Sequence, residues 1–151
     1  MNKRKKDDII YGLKCEDIFL SKFKNYNKNS RFDVIDFTHK NKNRIIELKS
    51  RKYNFNDCPD WKIGLNKINE GHNYCKSGGE FYVYMMFFDG LYYWKYKRNK
   101  VLQKNIKLGE RVDRGLLEKQ LYLHINLLDF KKSKYNISCP KIPELFPDCI
   151  F

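Results

Sequence analysis

Apolar positions return at helical spacing near the start of the chain. Ile9, Leu13, Leu20 and Phe23 fall on one face at steps of four, seven and three, and Ile10 and Phe19 widen it. The pattern predicts a helix from Asp7 to about Tyr26. Asp7 and Asp8 favour its N-terminus electrostatically, and the polar stretch Asn25 to Ser30 ends it. Phe32 to Thr38 and Arg44 to Ser50 are rich in β-branched and aromatic residues and predict two strands. The short polar turn Lys40 to Asn43 makes those strands antiparallel neighbours.

A helical stripe resumes at Trp61, Leu65, Ile68, His72 and Cys75, which predicts a second helix from about Asp60 to Lys76. Asp57 is its expected cap, Pro59 sits early in its first turn, and Ser77-Gly78-Gly79 stops it. Phe81 to Phe88 is an almost unbroken apolar run, as expected of a central strand buried on both faces. Asp89-Gly90 signals a hairpin turn, and Leu91 to Lys97 returns as another strand. Lys97 to Lys107 reads as a basic loop, Asp113 to Gln120 as a short helix and Leu121 to Leu128 as a final strand. Ser138 to Phe151 has three prolines and no period, so it is expected to wrap irregularly.

The order helix, hairpin, helix, hairpin predicts an α/β layer plan, a mixed central sheet flanked by helices. The 151 residues suit one domain, with a core over about 7–97 and a C-terminal appendage over about 98–151. Aromatic residues at 16% exclude a disordered chain. A net charge of +13 permits a polyanionic partner, nucleic acid first. The absence of alanine and the abundance of Lys, Asn, Ile, Tyr and Phe point to an AT-rich genome, which supplies lysine whatever the function. Five cysteines without a Cys-x-x-Cys pair read as reduced thiols of an intracellular protein, cytoplasmic or nuclear rather than secreted. Apolar runs fall short of the length a membrane span needs.

Charge enters the picture most sharply in Arg44 to Ser50. In Ile46-Glu47-Leu48-Lys49 the period of two sends Glu47 and Lys49 to one face and Ile46 and Leu48 to the other. The neighbouring strand brings Asp33 or Asp36 close. A tight four-residue turn centred on Asn41 and Lys42 sets Asp36 opposite Glu47, whereas a longer or bulged turn favours Asp33; Asp33, which follows an apolar residue at the strand start, is the expected partner and Asp36 its rival. Two converging carboxylates suit a hard cation such as Mg²⁺ or Mn²⁺. Such a cation polarises a phosphate and activates water, while an adjacent lysine stabilises charge on the phosphorane. Glu16 lies within the expected apolar face of the first helix, between Leu13 and Leu20, where a carboxylate is costly unless something pairs with it.

This arrangement resembles the PD-(D/E)XK nuclease superfamily and its small members, the archaeal Holliday-junction resolvases. The resemblance covers roughly Asp7 to Lys97 and is most specific at Asp33 with Glu47-Leu48-Lys49. It implies a restriction-endonuclease-like core and metal-dependent cleavage of DNA, in viral or phage DNA processing among other settings. It further implies metal ligation by Asp33 and Glu47, with Lys49 positioning or activating the water. Gly12-x-x-x-Glu16 is similar to the first helix of the resolvase-like members, where that Glu joins the metal site. The motif proline is replaced by Phe32, and only Asn25 to Arg31 is available for the strand that many members have before the motif Asp. Lys62 and Lys67, on the second helix away from its core stripe, and Arg51 and Lys52, after the motif strand, are the expected DNA-backbone contacts. RNA stays open as a substrate, and a homodimer is a further partner to expect, because one small centre cuts one strand.

The remaining chemistry reads as packing. His72 on the inner stripe is expected to be a core histidine, and His39 an exposed turn residue. No histidine has zinc-site spacing to a cysteine. Cys139 and Cys149 could meet in the tail, but buried free thiols are the commoner outcome. Tyr82, Tyr84, Tyr92, Tyr93 and Trp94 are expected to serve core and sheet packing rather than base stacking.

Overall fold

The computed structural model describes residues 2–58, 62–97, 106–111 and 118–141. Helix α1 runs over Lys3–Lys22, with Asn2 Oδ1 accepting the Lys5 N–H at 2.8 Å as its cap. It starts before Asp7 and ends before Tyr26. Three short strands follow, β1 (Tyr26–Lys28), β2 (Phe37–His39) and β3 (Arg44–Ser50). Next come β4 (Lys62–Gly64), helix α2 (Leu65–Lys76), β5 (Glu80–Phe87) and β6 (Gly90–Lys95). The chain then adds β7 (Ile106–Arg111), β8 (Glu118–His124) and the two-residue β9 (Lys131–Lys132).

The architecture is α/β. Six strands form one mixed sheet in the order β1-β2-β3-β5-β6-β9, and β4-β8-β7 form a second, antiparallel one. In the large sheet β3 pairs with β5 in parallel from Arg44↔Glu80 to Ser50↔Met86 and every other pair is antiparallel. Strand β5 is the expected central strand. Gly90, at φ +147°, closes the two-residue hairpin to β6, and the Asp89 carboxylate accepts the Phe55 N–H at 2.9 Å.

Side-chain alternation splits the core in two. Ile45, Phe81, Val83, Met85, Phe87 and Trp94 face α2 and the second sheet, together with Ile63 of β4 and Leu123 of β8. Ile46, Leu48, Met86 and Leu91 face α1 and the segment carrying Ile137 and Cys139. Helix α2 sits so close on β5 that a Cβ at Gly71 would lie 2.0 Å from the Phe81 ring. Among the described residues no helix is long and apolar enough to cross a membrane.

Several expected elements differ. The inward face of α1 is Tyr11, Cys15 and Phe19, with Leu20 packed beside them, not Ile9 and Leu13; Ile9, Ile10 and Leu13 are 40–47% exposed. This helix is apolar around much of its circumference, so periodicity admits two stripes. Aromatic packing selects one: Phe19 stacks on Phe23 at 4.0 Å and on Phe37 at 5.0 Å, and Tyr11 donates to the Pro140 carbonyl at 2.8 Å. The expected strand Phe32 to Thr38 keeps only Phe37–His39; the residues before it bend around a turn in which the Asp33 N–H donates to the Ser30 carbonyl at 2.9 Å. The expected first turn of the second helix, Lys62 to Gly64, is strand β4, and Gly64 rather than Asp57 precedes the helix. Ile68 keeps its place in the core, and His72 Nδ1 lies 2.6 Å from the Tyr96 hydroxyl. The end of the expected Asp113 to Gln120 helix is strand β8, while residues 112–117 lie outside the described residues. So do Trp61, Pro59, Cys149 and the tail from 142.

Candidate active site

Glu47 is 1% exposed and is the only charged side chain buried in the described core. It sits mid-strand in β3 beside Val83 of β5 and faces α2. Burying a carboxylate costs free energy unless charge or hydrogen bonds compensate. Here Oε1 lies 3.1 Å from Lys49 Nζ and 3.3 Å from Lys67 Nζ, whereas Oε2 is buried without a hydrogen-bond partner. Burial pushes the Glu47 carboxyl up to about 7; Lys49 and Lys67 pull it down, and the charge of Asp36 pushes it up further.

Asp36 reaches this point through the register of the β2–β3 hairpin. Phe37 pairs with Ile46 and Thr38 with Ile45, so the next position inward sets Asp36 beside Glu47. The Asp36 carboxylate accepts the Leu48 N–H at 2.8 Å. Asn29 braces the approach: its N–H donates to the Asp36 carbonyl at 2.8 Å and its side-chain amide to the Ile35 carbonyl at 3.0 Å. Asp33 stands elsewhere, on the exposed bend, and its carboxylate accepts the Ser30 N–H at 2.8 Å. The turn is the tight one centred on Asn41 and Lys42, where His39 Nδ1 accepts both N–H groups at 3.0 and 2.9 Å. The register therefore pairs Asp36 rather than Asp33 with Glu47.

Glu16 does not join them. It belongs to α1, which packs on the opposite face of the sheet, and it pairs with Lys28 of β1 at 2.6 Å. Among the described residues no three His, Cys, Asp or Glu side chains gather as a metal-ligand set. The convergence is of two carboxylates, Asp36 and Glu47, with two ammonium groups.

A cleft of about 560 Å³ opens beside this centre. Lys49 and Lys67 line it with Arg31, Arg51 and Lys62, and among the described residues Asp33 is the single acidic side chain on its wall. Phe32, 83% exposed, stands at its edge under the Arg31 guanidinium, 4.8 Å from the ring centre. The far wall comes from the second sheet, where Lys62 lies over the Tyr122 ring at 4.8 Å and Gln120 donates to Asn66 Oδ1 at 3.2 Å. Of the four expected backbone contacts, Arg51, Lys62 and Lys67 line the cleft. Lys52 instead pairs with Asp8 at 2.7 Å and covers the Tyr11 ring. Lys67 lines the cleft while its ammonium bonds the Val34 carbonyl and pairs with Glu47. The helical stripe alone sets Lys67 on the solvent side, because its partner Glu47 lies in another element. Gln120 and Tyr122 gave no local signal at all.

A buried Glu-x-Lys strand, an Asp at the entrance to the neighbouring strand and a basic cleft form the outline of a nuclease centre. A family model described as "Phage putative PDDEXK endonuclease" matches residues 14–133, about four fifths of the 151-residue chain. The chain belongs to this family. Neither a curated protein nor a solved structure matches it. For this PDDEXK chain the matched span begins within α1 and runs through both strands of the candidate centre, α2 and the second sheet, ending just beyond β9.

Proposed function

We propose that this chain is a divalent-metal-dependent endonuclease that hydrolyses DNA phosphodiester bonds, with Asp36 and Glu47 holding Mg²⁺ or Mn²⁺ and Lys49 as the adjoining amine. The observation that carries the reading is Glu47: a fully buried carboxylate with one oxygen unpartnered, beside a second carboxylate, under the floor of a basic cleft. A hard cation relieves both the orphaned oxygen and the repulsion from Asp36, and Mg²⁺ is commonly held by one or two carboxylates together with substrate phosphate and water. The donor set therefore fits. When bound, the cation supplies Lewis-acid polarisation of the phosphate and a more acidic water.

The chain's own groups do the rest. Lys49 has one side on Glu47 and the other on the cleft, so its ammonium meets the negative charge that grows on the phosphoryl oxygens. Arg31, Arg51 and Lys62 hold the backbone on either side of the scissile bond and carry no base preference. Lys67 favours the ionised form of Glu47 against its burial and orients it through its Nζ contact. In hydrolysis a water oxygen forms a bond to phosphorus as the bond to one ester oxygen breaks, and that oxygen leaves with a proton.

The test is cleavage of branched, duplex and single-stranded DNA with Mg²⁺ or Mn²⁺ by the parent, Glu47→Ala, Lys49→Ala, Asp36→Asn and Asp33→Asn. The parent is expected to cut only with metal. The first three variants should lose on the order of 100-fold or more, as when a charge-stabilising donor is removed. Asp33→Asn should stay within a few-fold of the parent. Equal cleavage by the parent and Glu47→Ala rules the assignment out.

A further inference from the structure

On the face of the large sheet opposite Glu47, the last turn of α1 packs on Tyr84 through Phe19 and Phe23, with ring centres 5.5 and 5.2 Å apart. Helix α1 ends at Lys22, and Phe23 is its C-cap. Beyond it this face carries Tyr82 and Tyr84 of β5, Tyr93 of β6 and Tyr135. Tyr84 and Tyr93 stack at 5.5 Å with planes 29° apart, and Tyr82 lies 6.2 and 6.3 Å from them. All four rings are part-exposed. They floor three adjoining hollows of about 310–350 Å³, which share Arg44, Tyr82, Tyr84, Tyr93, Lys134 and Tyr135 along their borders.

Codon bias alone does not make this surface. Nine of the 21 residues lining the three hollows are Lys or Arg, against 31 of 151 in the chain. Phe23, Tyr26 and Trp94 on these walls belong to the core, but Tyr82, Tyr84, Tyr93 and Tyr135 stay part-exposed side by side, and among the described residues Asp129 is the one acidic residue on the walls. The nearby Glu80 is already neutralised, 2.9 Å from both Arg44 and Lys95. Lysines enrich any surface, but aromatic rings ordinarily leave it, so a cluster of four part-exposed tyrosines bordered by ammonium groups suits a ligand with both negative charge and flat apolar faces. Single-stranded nucleic acid has both. Its phosphates meet the ammonium groups and its unpaired bases stack on the rings, which a duplex keeps covered.

We propose that this face is a second nucleic-acid site, separate from the cleft, that takes a single strand of DNA with bases on Tyr93 and Tyr82 and phosphates on Lys131 and Lys134. The choice of DNA rests on the nuclease reading above; the surface itself does not. A substrate with a duplex and a single-stranded arm engages both faces of the sheet, the scissile strand in the cleft and the arm on the tyrosines.

The experiment uses the full chain in EDTA, so that no cleavage occurs, and follows the anisotropy of a labelled oligothymidylate. The variants are Tyr82→Leu/Tyr93→Leu, which keeps apolar bulk, and Lys131→Glu/Lys134→Glu, with unfolding midpoints checked for each. The tyrosine variant is expected to weaken binding about tenfold, the scale of losing one or two stacked bases. The lysine variant should reduce the slope of log affinity against log salt by roughly 1.4, two phosphate contacts' worth. A duplex of equal length should be much less affected by the tyrosine change. Unchanged single-strand affinity in the tyrosine variant overturns the proposal. Equal binding of polyglutamate, lost only with the lysines, also overturns it and makes the face a docking site for acidic protein. Metal-dependent cleavage at saturating substrate should survive in the tyrosine variant and vanish in Glu47→Ala. A parent that fails to cleave sinks the nuclease reading alone, whereas intact cleavage with unaltered binding sinks the second site alone.

Discussion

Replacing Glu47 with glutamine isolates the cost of the buried carboxylate. Burial raises the group from its ordinary 4.5 to about 7. A carboxyl whose folded pKa lies above its unfolded one contributes stability that is fully present below about 4.5 and is lost as pH rises through about 7. The difference of some 2.5 units corresponds to about 3 kcal/mol. In EDTA, the stability of Glu47→Gln relative to the parent should therefore climb by about 3 kcal/mol between pH 4.5 and 8. In a chain of this size that is roughly 6–12 °C in relative midpoint. Other titrating groups cancel in the comparison. The amide also leaves Lys49 and Lys67 without their counter-charge, a cost that changes little over this range, so the slope is the observable rather than the sign at any one pH. Mn²⁺ added at pH 8 should raise the parent midpoint, by the equivalent of about 3 kcal/mol at a hundredfold excess over its dissociation constant, and leave the glutamine variant in place. Calorimetry or chemical denaturation across the pH series reads both effects. A pH-independent difference refutes the reasoning, because the two lysines would then compensate the carboxylate in full.

Lys67→Met should destabilise the metal-free protein by about 1–3 kcal/mol at pH 8 and by little at pH 5, where Glu47 takes up a proton; equal losses at both values in urea titrations would deny the ion pair. Gly71→Ala should cost about 1–3 kcal/mol or more, because the new methyl meets the Phe81 ring at 2.0 Å between a helix and a central strand that cannot both yield; an unchanged denaturation midpoint would contradict that contact. Phe37→Ala should cost about 3–5 kcal/mol, since the ring is fully buried and stacks on Phe19, and near-neutral stability would show that α1 does not depend on it.

Sequence alone determined what is local. The alternation in Ile46-Glu47-Leu48-Lys49 assigned Glu47 and Lys49 to one face, the apolar run of β5 marked the centre of the sheet, and Asp89-Gly90 placed the hairpin, because backbone period and turn stereochemistry act between neighbours in the chain. It also held both registers of the β2–β3 hairpin, one bringing Asp36 to Glu47 and the other Asp33. The tertiary structure chose between them, since a turn's conformation depends on the pairing it closes. It likewise chose Tyr11, Cys15 and Phe19 over a second apolar stripe on α1, gave Glu16 to Lys28, and turned Lys67 toward a carboxylate on another element. Strand β4 passes for helix until β8, some sixty residues later, pairs with it and brings Tyr122 and Gln120 to the cleft. Such choices depend on contacts between distant segments, whose energies no local pattern of residues encodes.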